Sequence, residues 1–523
     1  MPRGIIANYL NYFSIYVSFW IGIAFIFTGI VNFFSPINSI TSSLILILSL
    51  FVSFILSKME FSNVTTHHLI SGIIPKWVFY LTFFVLILWI IIVLLHPAID
   101  TDTHVYHLPL PLLMNQSIWY PGIVKINLNF GSPNGASVIS SLFTSFNKMG
   151  LENATNLLLW LGLISSILSF LLKTQISLFL AIISTVLVVL QPDLFWQSYN
   201  MGEDLGACFF LGLGFLSWNE KKIGNAFWLF SLASIFRIFG AIALALIFIF
   251  EYLPLLLKKN FLLLKDIKIY LSLSVILIWS TRAWIGTGNP FYPTLPLSFA
   301  QWSIPVDIQT NFLNSIKGYL NLDRNILNLP NFLYNLLLFP QKVKGSYFFW
   351  PPIFVSLSCI IYLKKIHSIK LINYKIFFTL FTLTILWYIG SPLTRFFLGP
   401  FLFLFLSTLS IYLNYINKTP KIFHFVFLAS VILTFSAFSF NALKHFPKDI
   451  IPLFSFNNSL DSLRPFLSYS KENIKEIYND DEFIYNQSDT TYCGWNRPPC
   501  FNHYSFGDPK LLASIYWKYN HRK

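Results

Sequence analysis

Charged residues are scarce in this chain. Only 11% of its 523 residues are Asp, Glu, Lys or Arg, whereas 55% are hydrophobic. Soluble globular proteins carry roughly 25% charged residues, so the composition argues against water as the main solvent. The sequence also lacks a His-Glu-x-x-His zinc motif, a serine-hydrolase elbow and a glycine-rich phosphate loop preceded by a strand. These absences argue against a metalloprotease, a serine hydrolase and a nucleotide-driven pump.

Long apolar runs follow one another along the chain. About 20 mostly apolar residues are needed for a helix to cross a hydrocarbon core roughly 30 Å thick. The sequence predicts an all-α polytopic membrane protein with about 13 transmembrane helices. Their predicted positions are 12–33, 40–57, 77–95, 154–172, 175–192, 205–218, 224–237, 239–257, 269–285, 346–363, 374–390, 396–413 and 422–440. We expect no cleavable signal peptide, because the first run is longer than a signal sequence's apolar region.

The net charge of +14 is a topology signal, because Lys and Arg cluster in short breaks between apolar runs. We expect no nucleic-acid partner. The positive-inside rule places those short loops and the N-terminus in the cytoplasm. The long outer loops are then 96–153 and 286–345, and both belong to a membrane domain of residues 1–440. Residues 441–523 are expected to form a small C-terminal tail outside the cytoplasm.

Residues 224–237 are the weakest of the predicted spans, because fourteen helical residues rise only about 21 Å. One continuous helix over 224–257 would invert every later segment and place the basic cluster 364–375 outside. The positive-inside rule therefore favours two helices.

Two features of the outer segments carry further expectations. The stretch from His107 to Pro121 is expected to be an interfacial helix. Its lipid-facing side chains would be Leu108, Leu110, Leu112, Leu113, Ile118 and Trp119, with Asn115 and Gln116 facing water.

In the tail, Cys493 and Cys500 favour a disulfide in an oxidising compartment over two free thiols. A zinc site is the weaker alternative, because His503 is their only nearby partner.

Acids and imidazoles follow the third predicted span. Asp100 and Asp102 are candidates for a general base or a cation ligand at the membrane surface, although the same residues also suit a helix N-cap. His104 and His107 share one face of a helix, with Tyr106 beside them. Together with the two Asp they could bind a divalent metal, or they could anchor lipid headgroups.

A second set of charges is predicted on the same side of the membrane. Glu203 and Asp204 stand at the entrance of the sixth span, where they either flank a cavity shared with the first acids or complement the helix dipole. Arg237, Arg282 and Arg395 lie near the outer boundary, where the positive-inside rule disfavours cations. Each arginine alone could reach lipid headgroups, but three together favour a site for an anion such as a phosphate.

Several of these segments resemble bacterial membrane glycosyltransferases of the GT-C superfamily, which use polyprenyl-phosphate-linked sugars. The resemblance covers roughly residues 80–415 and rests on five motifs: Asp102–Pro109, Tyr120–Ile123, Asp204, Thr287–Pro293 and Pro392–Phe396. The segment Cys493–Cys500 is also similar to a tail feature of a poorly characterised branch. One departure is Arg237, where many such enzymes have Lys.

The resemblance implies a glycosyltransferase of the bacterial inner membrane, working at the outer face. Asp102 would deprotonate the acceptor, while Arg395, Arg237 and His107 would stabilise the departing polyprenyl phosphate. The remaining expected substrate-binding residues are Asp100, His104, Tyr106, Glu203, Asp204, Arg282 and Asn289. The expected partners are a polyprenyl-phosphate-linked sugar, membrane lipid and an acceptor. No cofactor is certain, and a divalent metal is possible. The alternatives are an O-antigen-type polymerase or ligase and a lipid-linked glycan transporter or flippase.

Overall fold

The computed structural model describes residues 3–62, 84, 86–91, 93–94, 107–126, 128–146, 151–174, 178–189, 192–258, 266–318, 326–338, 374–390, 397–414, 425, 429, 474–479, 483–488 and 500–502. Up to residue 414 the regular structure in these ranges is helical, and three strands follow. The predicted span 346–363 and most of 422–440 lie outside the described residues.

The helices follow the apolar runs of the sequence. The first seven are α1 (Arg3–Phe34), α2 (Ser39–Ser62), α3 (Pro109–Gln116), α4 (Gly135–Thr144), α5 (Ala154–Lys173), α6 (Leu178–Val189) and α7 (Pro192–Gln197). The next nine are α8 (Asp204–Asn219), α9 (Ile223–Phe236), α10 (Ile238–Ile247), α11 (Leu253–Leu257), α12 (Ile267–Thr287), α13 (Val306–Gly318), α14 (Leu329–Leu338), α15 (Tyr374–Gly390) and α16 (Leu398–Asn414). A π-helical turn, Phe248–Tyr252, joins α10 to α11.

Five helical stretches are long and apolar enough to cross a membrane, which identifies the chain as a membrane protein. They are Gly4–Phe34, Ser39–Glu60, Leu151–Lys173, Ile238–Leu257 and Ile267–Thr287. Shorter apolar helices, among them α9, α15 and α16, occupy further predicted spans. The described residues contain fewer than thirteen such helices, so the number of thirteen spans stays a prediction.

The chain reverses direction between α9 and α10. Arg237 has an extended backbone, with φ −148° and ψ 145°, and interrupts the helical hydrogen bonding. Beyond this turn the two helices run antiparallel, because the rings of Phe227 and Tyr252 meet with centroids 4.7 Å apart at the far end of the pair. Residues 224–257 are therefore two helices, as the positive-inside rule favours.

Partly buried lysine ion pairs collect at one end of the bundle, which we call the lysine end. Lys268 binds Glu60 at 2.5 Å and also contacts Asn225, which joins α12, α2 and α9. Lys375 binds Glu251 at 3.0 Å and so fixes α15 to the π-helical turn. The opposite end, where α8 begins with Asp204, is called the acid end.

The segment around α3 is buried, which corrects the prediction of an interfacial helix. The four leucines, Trp119 and Asn115 of this stretch are buried, and of the predicted lipid-facing side chains only Ile118 is exposed. The Asn115 amide lies 2.8 Å from the Thr144 hydroxyl of α4. The apolar face of α3 packs on protein, because α4 covers it.

The tail contains a small sheet of β1 (Ile474–Asn479), β2 (Phe483–Ser488) and β3 (Cys500–Asn502). Strand β1 pairs antiparallel with β2, and β3 pairs parallel with β2. The helical prediction thus applies to the described part of the membrane domain, and the tail adds strands. Cys493 lies outside the described residues, so the predicted disulfide stays a prediction.

Replacing Gly240 by Ala should destabilise the α9–α10 turn. A Cβ at Gly240 would overlap backbone atoms of Ala233 and Ser234, which cannot move without breaking α9. We expect a loss of about 1–3 kcal/mol, seen as a lower midpoint of thermal unfolding in detergent. Gly390→Ala is the matched control, because no described atom lies within 4 Å of a Cβ there. Equal midpoints for the two variants would contradict the close packing of this turn.

Candidate functional site

Glu203, the residue before α8, binds the amino terminus of α4. Its carboxylate accepts hydrogen bonds from the backbone N–H of Ala136 (2.9 Å) and of Ser137 (3.2 Å). The Ser137 hydroxyl donates a third bond to the same carboxylate at 3.0 Å. Helix N-termini leave N–H groups without helical partners and favour negative charge. Glu203 therefore caps α4 from a distant part of the chain.

His107 is joined to Glu203 through Ser137. The His107 Nδ1 atom lies 2.9 Å from the Ser137 hydroxyl and 3.6 Å from Glu203 Oε1, and all three side chains are buried. His107 directly follows residues 100–106, which include the predicted catalytic acid. This network therefore anchors the C-terminal end of that segment.

The other residues predicted near His107 lie outside the described part of the chain. They are Asp100, Asp102, His104 and Tyr106. Arg395 of the predicted anion site also falls there. The roles of these five residues stay predictions.

Burial raises the pKa of Glu203 to about 8, although its hydrogen bonds and the charge of Arg237 act in the opposite direction. When Glu203 is ionised, the Ser137 hydroxyl donates to its carboxylate and can accept a hydrogen bond from His107 Nδ1–H. When Glu203 is protonated, its O–H can donate to Ser137, whose own hydrogen can then turn to His107 Nδ1. The proton on Glu203 is thereby coupled to the tautomer of His107.

Asp204 makes a separate ion pair with Arg237 at the turn between α9 and α10. Its Oδ1 atom accepts bonds from Arg237 Nε at 2.6 Å and from Nη2 at 2.5 Å. Its Oδ2 accepts a bond from Gln197 Nε2 at 3.0 Å. The Asp204 side chain is buried, whereas the Arg237 side chain is 25% exposed. The acid end therefore holds an arginine that is fixed by a buried carboxylate and is partly exposed.

Asn156 holds the loop that leads into these two acids. Its side-chain amide donates to the carbonyl groups of Gln197 (3.1 Å), Asn200 (2.8 Å) and Gly202 (3.0 Å). We did not predict this residue or Ser137. The available signal was weak: Asn156 is a polar residue in the first turn of an otherwise apolar helix.

Arg282 is buried and has different partners from Arg237. Its guanidinium lies 3.9 Å from the centroid of the Trp119 ring, and Nη1 donates to Asn32 Oδ1 at 3.3 Å. No carboxylate of the described residues forms an ion pair with it. It lines a cavity about the size of a water molecule between α1, α4 and α12. Arg237, with its greater exposure, is therefore the better placed of the two to meet a phosphate.

Asn289 shapes the turn after α12. Its amide nitrogen donates to Leu295 O at 2.5 Å and to Gln309 Oε1 at 3.0 Å, while its oxygen accepts a bond from Phe291 N at 2.9 Å. Both ends of the buried amide are used within this loop. The arrangement favours a structural role over the predicted contact with substrate.

A metal site was considered from sequence for the Asp and His residues after the third span. Within the ranges that the structure describes, no group of three or more His, Cys, Asp or Glu side chains is placed to hold a metal ion. Asp100, Asp102 and His104 are outside those ranges.

A family model described as a domain of unknown function, DUF8201, matches residues 4–402. The chain belongs to this family. The DUF8201 region begins in α1 and ends in α16, so it contains His107, Ser137, Glu203, Asp204 and Arg237. No curated protein and no solved structure matches the chain.

Glu203→Gln should flatten the dependence of stability on pH. The folded pKa of about 8 lies above the ordinary value of 4.5, so the folded protein keeps a proton that the unfolded chain has lost between these pH values. Stability linked to Glu203 is therefore full below about pH 4.5 and is lost as pH rises towards 8. We expect the thermal midpoint of the unmodified DUF8201 protein to fall more steeply over this window than that of the variant.

The matched control is Glu220→Gln, which changes an exposed acid paired with Lys222 at the lysine end. This control should keep the slope of the unmodified protein. If Glu203→Gln and Glu220→Gln gave the same slope, the raised pKa of Glu203 would be wrong.

Proposed function

We propose that this protein is a membrane glycosyltransferase that transfers a sugar from a polyprenyl-phosphate donor to an acceptor at the acid end. The Asp204–Arg237 pair is the observation that supports this most. A guanidinium that is fixed by a buried carboxylate, on a side chain that is still 25% exposed, is suited to bind a lipid phosphate at the membrane boundary. A phosphate on a polyprenyl chain would lie at this depth of the leaflet.

In the proposed reaction, Asp102 takes the proton of the acceptor hydroxyl as that oxygen bonds to the anomeric carbon. The bond between the anomeric carbon and the phosphate oxygen breaks, and the polyprenyl phosphate leaves with the electron pair. Arg237 stabilises the charge that develops on the leaving phosphate. His107, held through Ser137 by Glu203, fixes one end of the segment that carries Asp102.

The distribution of charge supports the proposed orientation. The described ion pairs of Lys268 and Lys375 lie at the opposite end of the bundle from Arg237 and Asp204. In line with the positive-inside rule, we propose that the lysine end lies in the cytoplasm and the acid end outside it, and that the membrane is a bacterial inner membrane. The N-terminus would be cytoplasmic, the C-terminus would be extracytoplasmic, and the full count of spans would be about 13.

The position of the ion pairs also favours an enzyme over a transporter. A transport path through the bundle requires ionisable groups near the middle of the membrane. The ion pairs within the described ranges lie at the two ends of the helices. This arrangement suits chemistry at one membrane face.

Asp102→Asn should abolish sugar transfer, because the amide cannot accept the acceptor's proton. Purified protein in lipid nanodiscs would be incubated with a panel of polyprenyl-phosphate sugars, and release of polyprenyl phosphate would be followed by mass spectrometry. We expect a loss of about a hundredfold or more, the usual contribution of a general base.

Asp307→Asn is the matched control for this experiment, because Asp307 is an exposed acid in the first turn of α13. It should keep full activity and normal abundance. Full activity in Asp102→Asn would rule out Asp102 as the base. Failure of the unmodified protein to release polyprenyl phosphate from any donor of the panel would count against the glycosyltransferase itself.

Arg237→Lys should lower turnover of the same donor about tenfold, because Lys keeps the charge but loses the two-nitrogen contact with Asp204 Oδ1. Lys222→Arg, which changes an exposed cation at the lysine end, should leave turnover unchanged. Equal turnover of Arg237→Lys and the unmodified protein would show that the geometry of this guanidinium is not used.

A further inference from the structure

The segment that follows α12 lacks charge. Residues 288–306, which follow the end of α12, contain no Asp, Glu, Lys, Arg or His. A water-exposed segment of this length would carry about five charged residues at the usual frequency in soluble proteins. The composition therefore indicates an environment other than bulk water.

Large apolar side chains of this segment point away from the protein. Seven of them, on and beside the segment, are between 39% and 57% exposed: Trp284, Phe291, Leu295, Leu297, Phe299, Val306 and Ile308. We call this set the outer apolar patch. Exposed apolar clusters of this kind mark surfaces that contact another molecule or a membrane.

Two amide side chains of the same region, Asn289 and Gln309, are buried and bind its backbone. Gln309 Nε2 donates to Leu297 O at 2.9 Å and to Ile304 O at 2.7 Å. Asn289 donates to Leu295 O at 2.5 Å. Irregular backbone is tolerated at membrane depth only where protein groups satisfy its polar atoms. These bonds satisfy three carbonyl groups of the loop from the protein side.

The outer apolar patch continues a stripe on α12. Tyr270, Leu273, Leu277 and Trp284 are between 42% and 67% exposed and follow one another at three-, four- and seven-residue steps along one face. Helix α12 is long and apolar enough to cross a membrane, so this exposed face is its lipid-facing side. Trp284 belongs both to this stripe and to the patch, and its ring lies 6.1 Å from that of Trp302.

We infer that residues 288–306, up to the charged residue Asp307, are embedded in the lipid leaflet at the acid end, with the outer apolar patch in contact with phospholipid. The absence of charge from these residues, the inward amides of Asn289 and Gln309, and the continuity with α12 all favour lipid over a protein partner. The embedded loop extends the lipid-facing wall of α12 sideways along the membrane surface. This placement holds whether or not the protein transfers sugars.

Photo-crosslinking tests the placement. The photoreactive residue p-benzoylphenylalanine would replace Phe299 or, in a second variant, Phe291, and each full-length protein would be placed in nanodiscs of phosphatidylethanolamine and phosphatidylglycerol. After illumination, mass spectrometry would measure the fraction of protein that carries a phospholipid. The same residue at Leu277 sets the yield for a lipid-facing site, and at Lys222 it sets the yield for a charged, exposed site at the lysine end.

We expect Phe299 and Phe291 to give phospholipid adducts close to the Leu277 yield and about fivefold above that of Lys222, because acyl chains supply reactive C–H groups within the leaflet. Yields at the Lys222 level would show that the loop faces water. Adducts with a second copy or with another protein in place of phospholipid would show that the patch is a protein interface. Either result would overturn the inference.

Discussion

Two consecutive buried carboxylates organise the acid end of this bundle. A carboxylate removed from water is costly unless it is paired or hydrogen-bonded. Glu203 meets this requirement with two N–H groups and a hydroxyl at the start of α4, and Asp204 meets it with Arg237 and Gln197. Because the two acids are adjacent, the start of α8 is tied both to α4 and to the α9–α10 turn. Neither partner can move without leaving a buried carboxyl group without its hydrogen bonds.

The turn at Arg237 determines the direction of all later helices. The extended backbone at Arg237 ends α9, and Gly240 permits α10 to lie against α9 without a Cβ between them. The ion pair to Asp204 fixes this turn at the acid end. Lys268 and Lys375 then fall at the opposite end, where they pair with Glu60 and Glu251. A continuous helix would have reversed this separation of charge.

The sequence predicted the positions of the helices better than it predicted whether their apolar faces contact lipid or protein. The predicted span 154–172 agrees closely with α5, and the predicted break near residue 237 is present, because apolar length and charge are local properties. The surface position expected for α3 was wrong for a general reason: lipid chains and leucine side chains are equally apolar, so a one-sided apolar pattern does not distinguish lipid from protein. Burial by α4 depends on contacts that the pattern does not contain.

The sequence predicted several residues of the candidate site but not the contacts between them. Glu203, Asp204, His107 and Arg237 were all expected at one membrane face, but a shared cavity for the two acids was one interpretation and a helix-dipole role the other. The structure gives each acid its own partner, and Glu203 acts on the dipole of α4 rather than that of α8. Ser137, which connects Glu203 to His107, is one of many serines in apolar helices, and the neighbouring sequence does not indicate its role.

Amide side chains stabilise the irregular backbone at the acid end in two places. Asn156 binds three carbonyl groups in the loop before Glu203, and Asn289 and Gln309 bind three in the loop after α12. Each amide replaces partners that a helix would have supplied within its own backbone. Asn156, Asn289 and Gln309 are therefore committed to the protein itself, and the proposed contact with the membrane falls to apolar side chains. Asp204 fixes the Arg237 guanidinium in a similar way, and the partial exposure of the Arg237 side chain supports the proposed contact with a lipid phosphate.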